Sequence, residues 1–228
     1  MNTSSPKRTS PLLVYIVAIY AVSLLIANLL ANQMIVVIRW TTTAGILTFP
    51  ITYILASVLA EVYGYRWARR AAWLSLALNA LFAGLIQLSI VLPQPVWYDG
   101  AVFAAAVGGT WRIVIASLVA FTVGKFVNDK TFHHLKQRQD GLQGFPFRAM
   151  VSSIGGHIVD TAIFTLVAFA WVIPWNEIPG MIFILVCLKW GYEWIALPLT
   201  VKIVKWVAAK EHMYADSEIQ GVDSRSIA

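Results

Sequence analysis

Six apolar windows, each about long enough to cross a bilayer, limit the folds open to this chain. A helix that spans the hydrocarbon core of a membrane needs about 20 apolar residues. The windows run over Leu12–Ile38, Ala44–Tyr63, Arg70–Leu92, Gly108–Phe126, Phe147–Ile173 and Ile178–Trp206. The stretch Ala101–Val107 either extends the fourth window or forms a short re-entrant segment. We predict an all-α, polytopic membrane protein with six transmembrane helices.

The composition agrees with a chain that lies mostly in lipid. Hydrophobic residues make up 59% of it and charged residues 12%, whereas a soluble domain has roughly 25% charged residues. We predict three parts: a cytoplasmic N-terminal segment over residues 1–11, a membrane domain over 12–207, and a polar, mobile cytoplasmic tail over 208–228. The single cysteine, Cys187, can form no internal disulfide.

The positive charges predict the orientation of the chain, because cytoplasmic loops retain Lys and Arg. Fourteen of the 17 basic residues fall on one predicted side. They are Lys7, Arg8, Arg66, Arg69, Arg70, Lys125, Lys130, Lys136, Arg138, Arg148, Lys202, Lys205, Lys210 and Arg225. Both termini are therefore predicted to be cytoplasmic, and the net charge of +6 indicates topology, not nucleic-acid binding.

Ionisable residues inside the fifth and sixth windows are costly and need an explanation. A charge at the bilayer centre costs at least about 2.5–3.5 kcal/mol on insertion scales. At about 1.5 Å of rise per residue, His157 and Asp160 lie about 15 and 20 Å into the fifth window, and Lys189 and Glu193 about 17 and 23 Å into the sixth. Each pair shares one helix face, so we expect the two faces to meet with Lys189 near Asp160.

Two interpretations of these four residues remain open. They form either a structural ion pair that fixes helix register, or a polar chamber near the midplane, where carriers commonly bind their substrates. Glu61, Arg112 and Asn79 are weaker candidates for the same chamber; a boundary salt bridge, snorkelling to the interface and interhelical hydrogen bonding explain them equally well.

Soluble-enzyme signatures are absent from the sequence. It has no phosphate-binding GxxxxGK[ST], no HExxH, no CxxC and no GxSxG. We therefore predict no cofactor, no metal site and no enzymatic activity. An intramembrane enzyme that uses His157 and Asp160 as acid and base is the least favoured alternative, because the sequence offers no recognisable nucleophile.

Four segments together resemble the queuosine precursor transporter family, the YhhQ-like membrane proteins. They are FPITYILASVLAEVYGYRWARRAAW from Phe49, WRIVIASLVAFTVGKFVNDKTFHHLK from Trp111, RAMVSSIGGHIVDTAIFTLVAF from Arg148 and CLKWGYEWIALPLT from Cys187. Each segment alone is a modest match, but the four occur in the same order and spacing as in the family. The similarity covers nearly the whole chain. The positions that match the family are Phe49, Pro50, Glu61, Gly64, Arg69, Arg70, Arg112, Asp160, Thr161, Lys189 and Glu193.

The resemblance implies a compact six-helix fold similar to the substrate-binding subunits of vitamin transporters. It also implies import of 7-deazaguanine bases, such as 7-cyano-7-deazaguanine and its aminomethyl form, across a bacterial inner membrane for the tRNA nucleoside queuosine. Two positions depart from the family: Ser57, where relatives often have Asp, and His157, where they often have Gln or Asn. These departures leave the preferred base open.

The residues are compatible with such a ligand. A carboxylate of Asp160 or Glu193 can accept the adjacent N–H groups of a guanine-like edge, while Lys189, His157 or Arg112 donates to its oxygen. Aromatic candidates for stacking are Tyr53, Trp190 and Tyr192. The sequence leaves homodimer formation and proton coupling undecided, and the alternative function is that of a substrate-binding membrane subunit of a larger energised transporter.

Overall fold

The computed structural model describes residues 10–138 and 145–223. Within them, α-helices and one β-hairpin follow each other along the chain. The helices are α1 (Pro11–Leu30), α2 (Phe49–Val62), α3 (Tyr65–Val91), α4 (Gly100–Val107), α5 (Thr110–Arg138), α6 (Phe145–Phe169) and α7 (Ile178–Asp223). The hairpin strands are β1 (Met34–Val37) and β2 (Trp40–Thr43), and a 3-10 turn, Ala44–Thr48, leads into α2.

The helices confirm an all-α, multi-pass membrane protein. Among the described residues, five helical segments are long and apolar enough to cross a membrane: Pro11–Leu30, Ala44–Val62, Tyr65–Val91, Gly100–Val127 and Ile178–Glu211. The fourth of these joins α4 to α5, so Ala101–Val107 extends the fourth span. The predicted fifth span corresponds to α6, whose described apolar part, Gly155–Phe169, is shorter.

Local sequence signals explain where several helices begin. Ser10 caps α1, because its Oγ accepts a hydrogen bond from the Leu12 backbone nitrogen at 3.1 Å, and Pro11 follows at the first helical position. Gly64, with φ of 82°, separates α2 from α3 in a backbone conformation that favours glycine. Asp99 caps α4 through the Ala101 nitrogen at 3.0 Å.

The predicted first span, Leu12–Ile38, is helical to Leu30 and wrong over its last eight residues. The helix ends at Leu30, and the chain then forms the antiparallel hairpin, in which Met34 pairs with Thr43 and Val37 with Trp40. Apolar β-branched residues in β1 continue the hydrophobic run of α1, so hydropathy alone does not mark the boundary. The β propensity of such residues is the signal that separates strand from helix.

The hairpin packs on the beginning of α7. Thr41 Oγ1 donates to Glu177 Oε2 at 2.9 Å, and the Trp40 ring lies so close to Gly180 that a β-carbon there would come within 2.3 Å of it. This end of the helix bundle is called the hairpin end below.

At the opposite end, the beginning of α1 contacts α7. Ser10 Oγ donates to Glu211 Oε1 at 2.5 Å, and this carboxylate oxygen also accepts from Tyr63 Oη at 2.8 Å. The helix α7 continues to Asp223, beyond the predicted end at Trp206, so the segment expected to be a polar tail is helical to that residue.

Two buried apolar clusters lie towards the two ends of the bundle. The cluster near the hairpin contains Ala31, Ile46, Ile113, Ala116, Ala168, Phe169, Met181 and Leu185. The other contains Leu13, Ile16, Tyr20, Val58, Leu59, Ala71 and Val207. Residues of both clusters line one cavity: Tyr20 from the second, and Ala31, Ile46 and Leu185 from the first.

Candidate functional site

The cavity has a volume of about 490 Å³ and is lined by residues from α1, α2, α3, α5, α6 and α7. A volume in this range is typical of small-molecule sites. Its polar lining includes Asn28, Thr43, Thr48, Thr52, Tyr53, Asn79, Ser117, Lys125, His157, Asp160 and Lys189, and aromatic lining comes from Tyr20, Phe49, Phe121 and Phe164. Five of the predicted site residues, Tyr53, Asn79, His157, Asp160 and Lys189, therefore face one cavity.

The first ion pair on the cavity wall joins α6 to α7. Lys189 Nζ lies 2.7 Å from Asp160 Oδ2 and donates a second hydrogen bond to Thr161 Oγ1 at 3.0 Å. The ammonium also lies 5.7 Å from the centroid of the Phe49 ring, within cation–π range. This is the contact that the overlapping depths of Asp160 and Lys189 in the predicted spans led us to expect. The side chains are 29% and 15% exposed, so both charges are largely removed from solvent.

The second pair joins the same two helices. His157 Nε2 lies 3.5 Å from Glu193 Oε2, and Tyr53 Oη of α2 donates to Glu193 Oε1 at 3.2 Å. Glu193 does not itself line the cavity, but both of its partners do. Glu193 thus orients two lining side chains. We call Asp160, Lys189, His157 and Glu193 the charged wall.

A glycine allows the charged wall to form beside α5. A β-carbon at Gly124 would lie 2.8 Å from Asp160 Cβ and 3.2 Å from the Gly156 carbonyl oxygen. Only a residue without a side chain permits this approach of α5 to α6, which are the most extensively packed helix pair. The position of Asp160 therefore depends on Gly124.

A second set of polar residues lies on the part of the lining formed by α1, α3 and α5. Ser117 Oγ donates to Asn28 Oδ1, Asn28 Nδ2 donates to Asn79 Oδ1, and Asn79 Nδ2 donates to the Ser75 carbonyl, each at 2.8 Å. We call Asn28, Asn79 and Ser117 the amide wall. The sequence indicated Asn79 as a candidate site residue; it gave no sign of Ser117, because a single serine in an apolar helix is common.

Arg112 contacts a helix end. Its Nε donates to the Val167 carbonyl at 2.7 Å and its Nη2 to the Ala170 carbonyl at 2.5 Å. Carbonyls in the last turn of a helix lack partners within the helix, so Arg112 caps α6 and does not line the cavity. This contact was not foreseen from the sequence.

The remaining predicted site residues also lie outside the lining. Glu61 is exposed and forms no ion pair within the described residues. Ser57 Oγ donates to the Tyr53 carbonyl at 3.0 Å. Tyr192 packs against the apolar cluster near the hairpin, and Trp190 is half-buried.

The cavity lining combines opposite charges with aromatic rings. A carboxylate and an ammonium stand beside the Phe49 and Tyr53 rings, which are nearly parallel at 22° with centroids 6.4 Å apart. The amide wall supplies neutral donors and acceptors in the same space. Across the described residues, no group of three or more His, Cys, Asp or Glu is placed to hold a metal ion.

A family model described as "Putative vitamin uptake transporter" matches residues 43–203, more than two-thirds of the chain. The chain belongs to this family. The match includes every residue of the charged wall and ends before the helical extension of α7. Neither the curated proteins nor the solved structures contain a match. Family membership and the apolar helices together make this chain a multi-pass membrane transporter of the vitamin uptake family.

Proposed function

We propose that this transporter imports queuosine precursors, 7-deazaguanine bases such as 7-cyano-7-deazaguanine or its aminomethyl form. The observation that supports this most directly is the Asp160–Lys189 pair on the cavity wall, 2.7 Å apart and next to an aromatic ring. A structural ion pair alone needs no cavity beside it. Here the pair borders a volume large enough for a small heterocycle.

The recognition chemistry fits a guanine-like edge. Adjacent N–H donors on such an edge can both bond to one carboxylate, and the neighbouring exocyclic carbonyl oxygen accepts from an ammonium. Asp160 and Lys189 supply those groups, while Phe49 and Tyr53 supply faces on which a flat ring stacks. The base contacts both partners of the ion pair, so neither charge is left buried and unpaired when it binds.

The proposed location is a bacterial inner membrane with both termini in the cytoplasm. The support for this orientation is the distribution of Lys and Arg in the sequence. Reporter fusions at Ser10 and after residue 223 test it: cytoplasmic activity is expected at both positions. A periplasmic signal at either position contradicts the topology without bearing on the substrate.

The test of the substrate is uptake. Cells that cannot make queuosine precursors and carry this gene are given each deazaguanine in turn, and queuosine in tRNA is measured. Incorporation that depends on the gene supports the proposal; none with any of the bases overturns it. Uptake by the purified protein in liposomes then separates a self-sufficient carrier from a binding subunit of a larger energised transporter.

Asp160→Asn tests the site. The amide replaces one carboxylate oxygen with an N–H donor group, so the side chain loses its charge and can no longer pair its two oxygens with two adjacent N–H groups. A hydrogen bond to a charged partner is worth about 1.5–3 kcal/mol, so binding should weaken at least about tenfold. Asp99→Asn is the matched control, because Asp99 caps α4 away from the cavity and Asn caps a helix equally well. Asp160→Asn with wild-type binding and uptake would remove Asp160 from the site.

A further inference from the structure

The amide wall has hydrogen-bonding capacity that its internal contacts do not use. An Asn side chain has two N–H donors and two acceptor lone pairs, and a Ser hydroxyl can accept as well as donate. The contacts of the amide wall use one N–H of each Asn and one lone pair on each Oδ1. Further donors and acceptors therefore remain on residues that line the cavity.

The position of the amide wall along the bundle is fixed by α5. Ser117 precedes Gly124 by seven residues, which is about 10 Å along a helix. Gly124 lies directly against Asp160, as the 2.8 Å approach of a β-carbon to Asp160 Cβ indicates. The amide wall is thus about 10 Å nearer the hairpin end than Asp160, a spacing comparable to a bicyclic base with a short substituent.

The two walls also differ in charge. The charged wall has two carboxylates, an ammonium and an imidazole, whereas the amide wall has only amides and a hydroxyl. One ligand that contacts both must present an edge of strong donors at one end and a small polar group at the other. Burial increases the cost of leaving such groups unpaired: Asn79 is 1% and Asn28 is 8% exposed.

We propose that the amide wall is a second subsite, which binds the short polar arm of a planar heterocycle whose donor edge lies on the charged wall. This inference rests on the proposed function and adds a residue set that selects among bases. Asn28 and Ser117 are specificity residues in this scheme, and they distinguish bases that share the same ring.

Three bases with one ring test the subsite: 7-deazaguanine, its 7-cyano derivative and its 7-ethynyl derivative. The nitrile and the ethynyl group have the same linear shape, but only the nitrile nitrogen accepts a strong hydrogen bond. Binding of each to the full-length purified protein is measured for the wild type and the variants Asn28→Ala and Ser117→Ala. Ser75→Ala is the matched control, because that buried hydroxyl bonds within α3 to the Ala71 carbonyl at 2.7 Å.

The wild type should prefer the cyano over the ethynyl base by about tenfold, the effect of one net hydrogen bond of about 1.4 kcal/mol. Asn28→Ala removes the unused N–H donor and should reduce this ratio towards one. Ser117→Ala removes the hydrogen bond that orients Asn28 and should reduce it less, while Ser75→Ala keeps it. A ratio unchanged in both variants, or an equal loss for all three bases, overturns the subsite alone. A wild-type protein that binds none of the bases overturns the proposed function and the subsite with it.

Discussion

Two carboxylates of this protein accept hydrogen bonds in very different surroundings. Asp160 is paired with the Lys189 ammonium on the cavity wall, whereas Glu211 accepts from two neutral hydroxyls, those of Tyr63 and Ser10. Asp160 lies within the apolar part of α6, Gly155–Phe169, and Glu211 at the end of the candidate span Ile178–Glu211. A carboxylate inside the bilayer needs an opposite charge, but one near the aqueous boundary remains solvated and needs only donors.

Tyr63 forms, with Ser10 and Glu211, what we call the boundary group. Burial and then its hydrogen bond to Glu211 raise the pKa of Tyr63 above its ordinary value. A raised pKa favours the neutral phenol, so the stability it contributes is complete below the unfolded value of about 10 and is lost only as pH rises through the higher folded value. Across neutral pH, Tyr63 is a constant donor.

The largest effect should come from removing the ammonium. Lys189→Met leaves Asp160 unpaired in the membrane, and breaking a buried pair in this way typically costs about 3–5 kcal/mol. We expect a marked fall in the thermal unfolding temperature of the detergent-purified protein and loss of uptake. The double variant Lys189→Met with Asp160→Asn should recover most of the stability but not the uptake. If the single variant unfolds like the wild type, the charged wall does not stabilise the fold.

Forcing α5 and α6 apart should have the next largest effect. Gly124→Ala places a β-carbon against Asp160 Cβ, and such overpacking costs typically about 1–3 kcal/mol. The matched control is Gly155→Ala on α6, where a β-carbon meets nothing within 4 Å. Alanine there should be neutral or stabilise by about 0.5–1 kcal/mol. Equal unfolding temperatures for the two variants would contradict the close approach.

Replacing the histidine should have a smaller effect. His157→Gln removes the imidazole 3.5 Å from Glu193 but leaves the hydrogen bond from Tyr53 to the other carboxylate oxygen. We expect a stability loss of about 1 kcal/mol, typical of one hydrogen bond, and an altered ratio of affinities among the deazaguanines. A loss as large as that of Lys189→Met would show that both pairs of the charged wall are equally essential.

The smallest effect is expected at the boundary group. In Glu211→Gln the side-chain oxygen still accepts hydrogen bonds from Tyr63 and Ser10. The free energy of unfolding should therefore change by less than about 1 kcal/mol, and the uptake rate by less than about twofold. Parallel transport assays of Glu211→Gln and Asp160→Asn compare the same chemical change at the two depths. Similar losses in both would end the distinction between them.

The sequence predicted the contact that depends on how deep residues lie in the membrane. It missed the contacts that depend on which side of a helix faces the cavity. The overlapping depths estimated for the two consecutive spans were enough to predict the contact between Asp160 and Lys189. Which side of α1 or α5 faces the cavity cannot be read from a helix that is apolar all round. For this reason Asn28 and Ser117 were not recognised as lining residues.

Two other differences come from local signals weaker than hydropathy. The run from Met34 to Ile38 is as apolar as the helix before it, so the strand was assigned to the first span. Arg112 was a candidate donor to the ligand, because an arginine inside a span is often functional, and snorkelling to the interface explained it equally well. The unpaired carbonyls at the end of α6, which bind Arg112, become visible only once the helix end is known.

The length of α7 makes it a lever arm. From Lys189 to Asp223 the helix path measures about 50 Å and includes Pro198, which removes one backbone hydrogen bond; a tilt of about 5° at the ion pair displaces the far tip by at most about 4 Å. A displacement of that size is within reach of distance measurements between two spin labels. The distance between a spin label near Asp223 and one near Ser10 therefore reports any tilt of α7 that ligand binding causes at the charged wall.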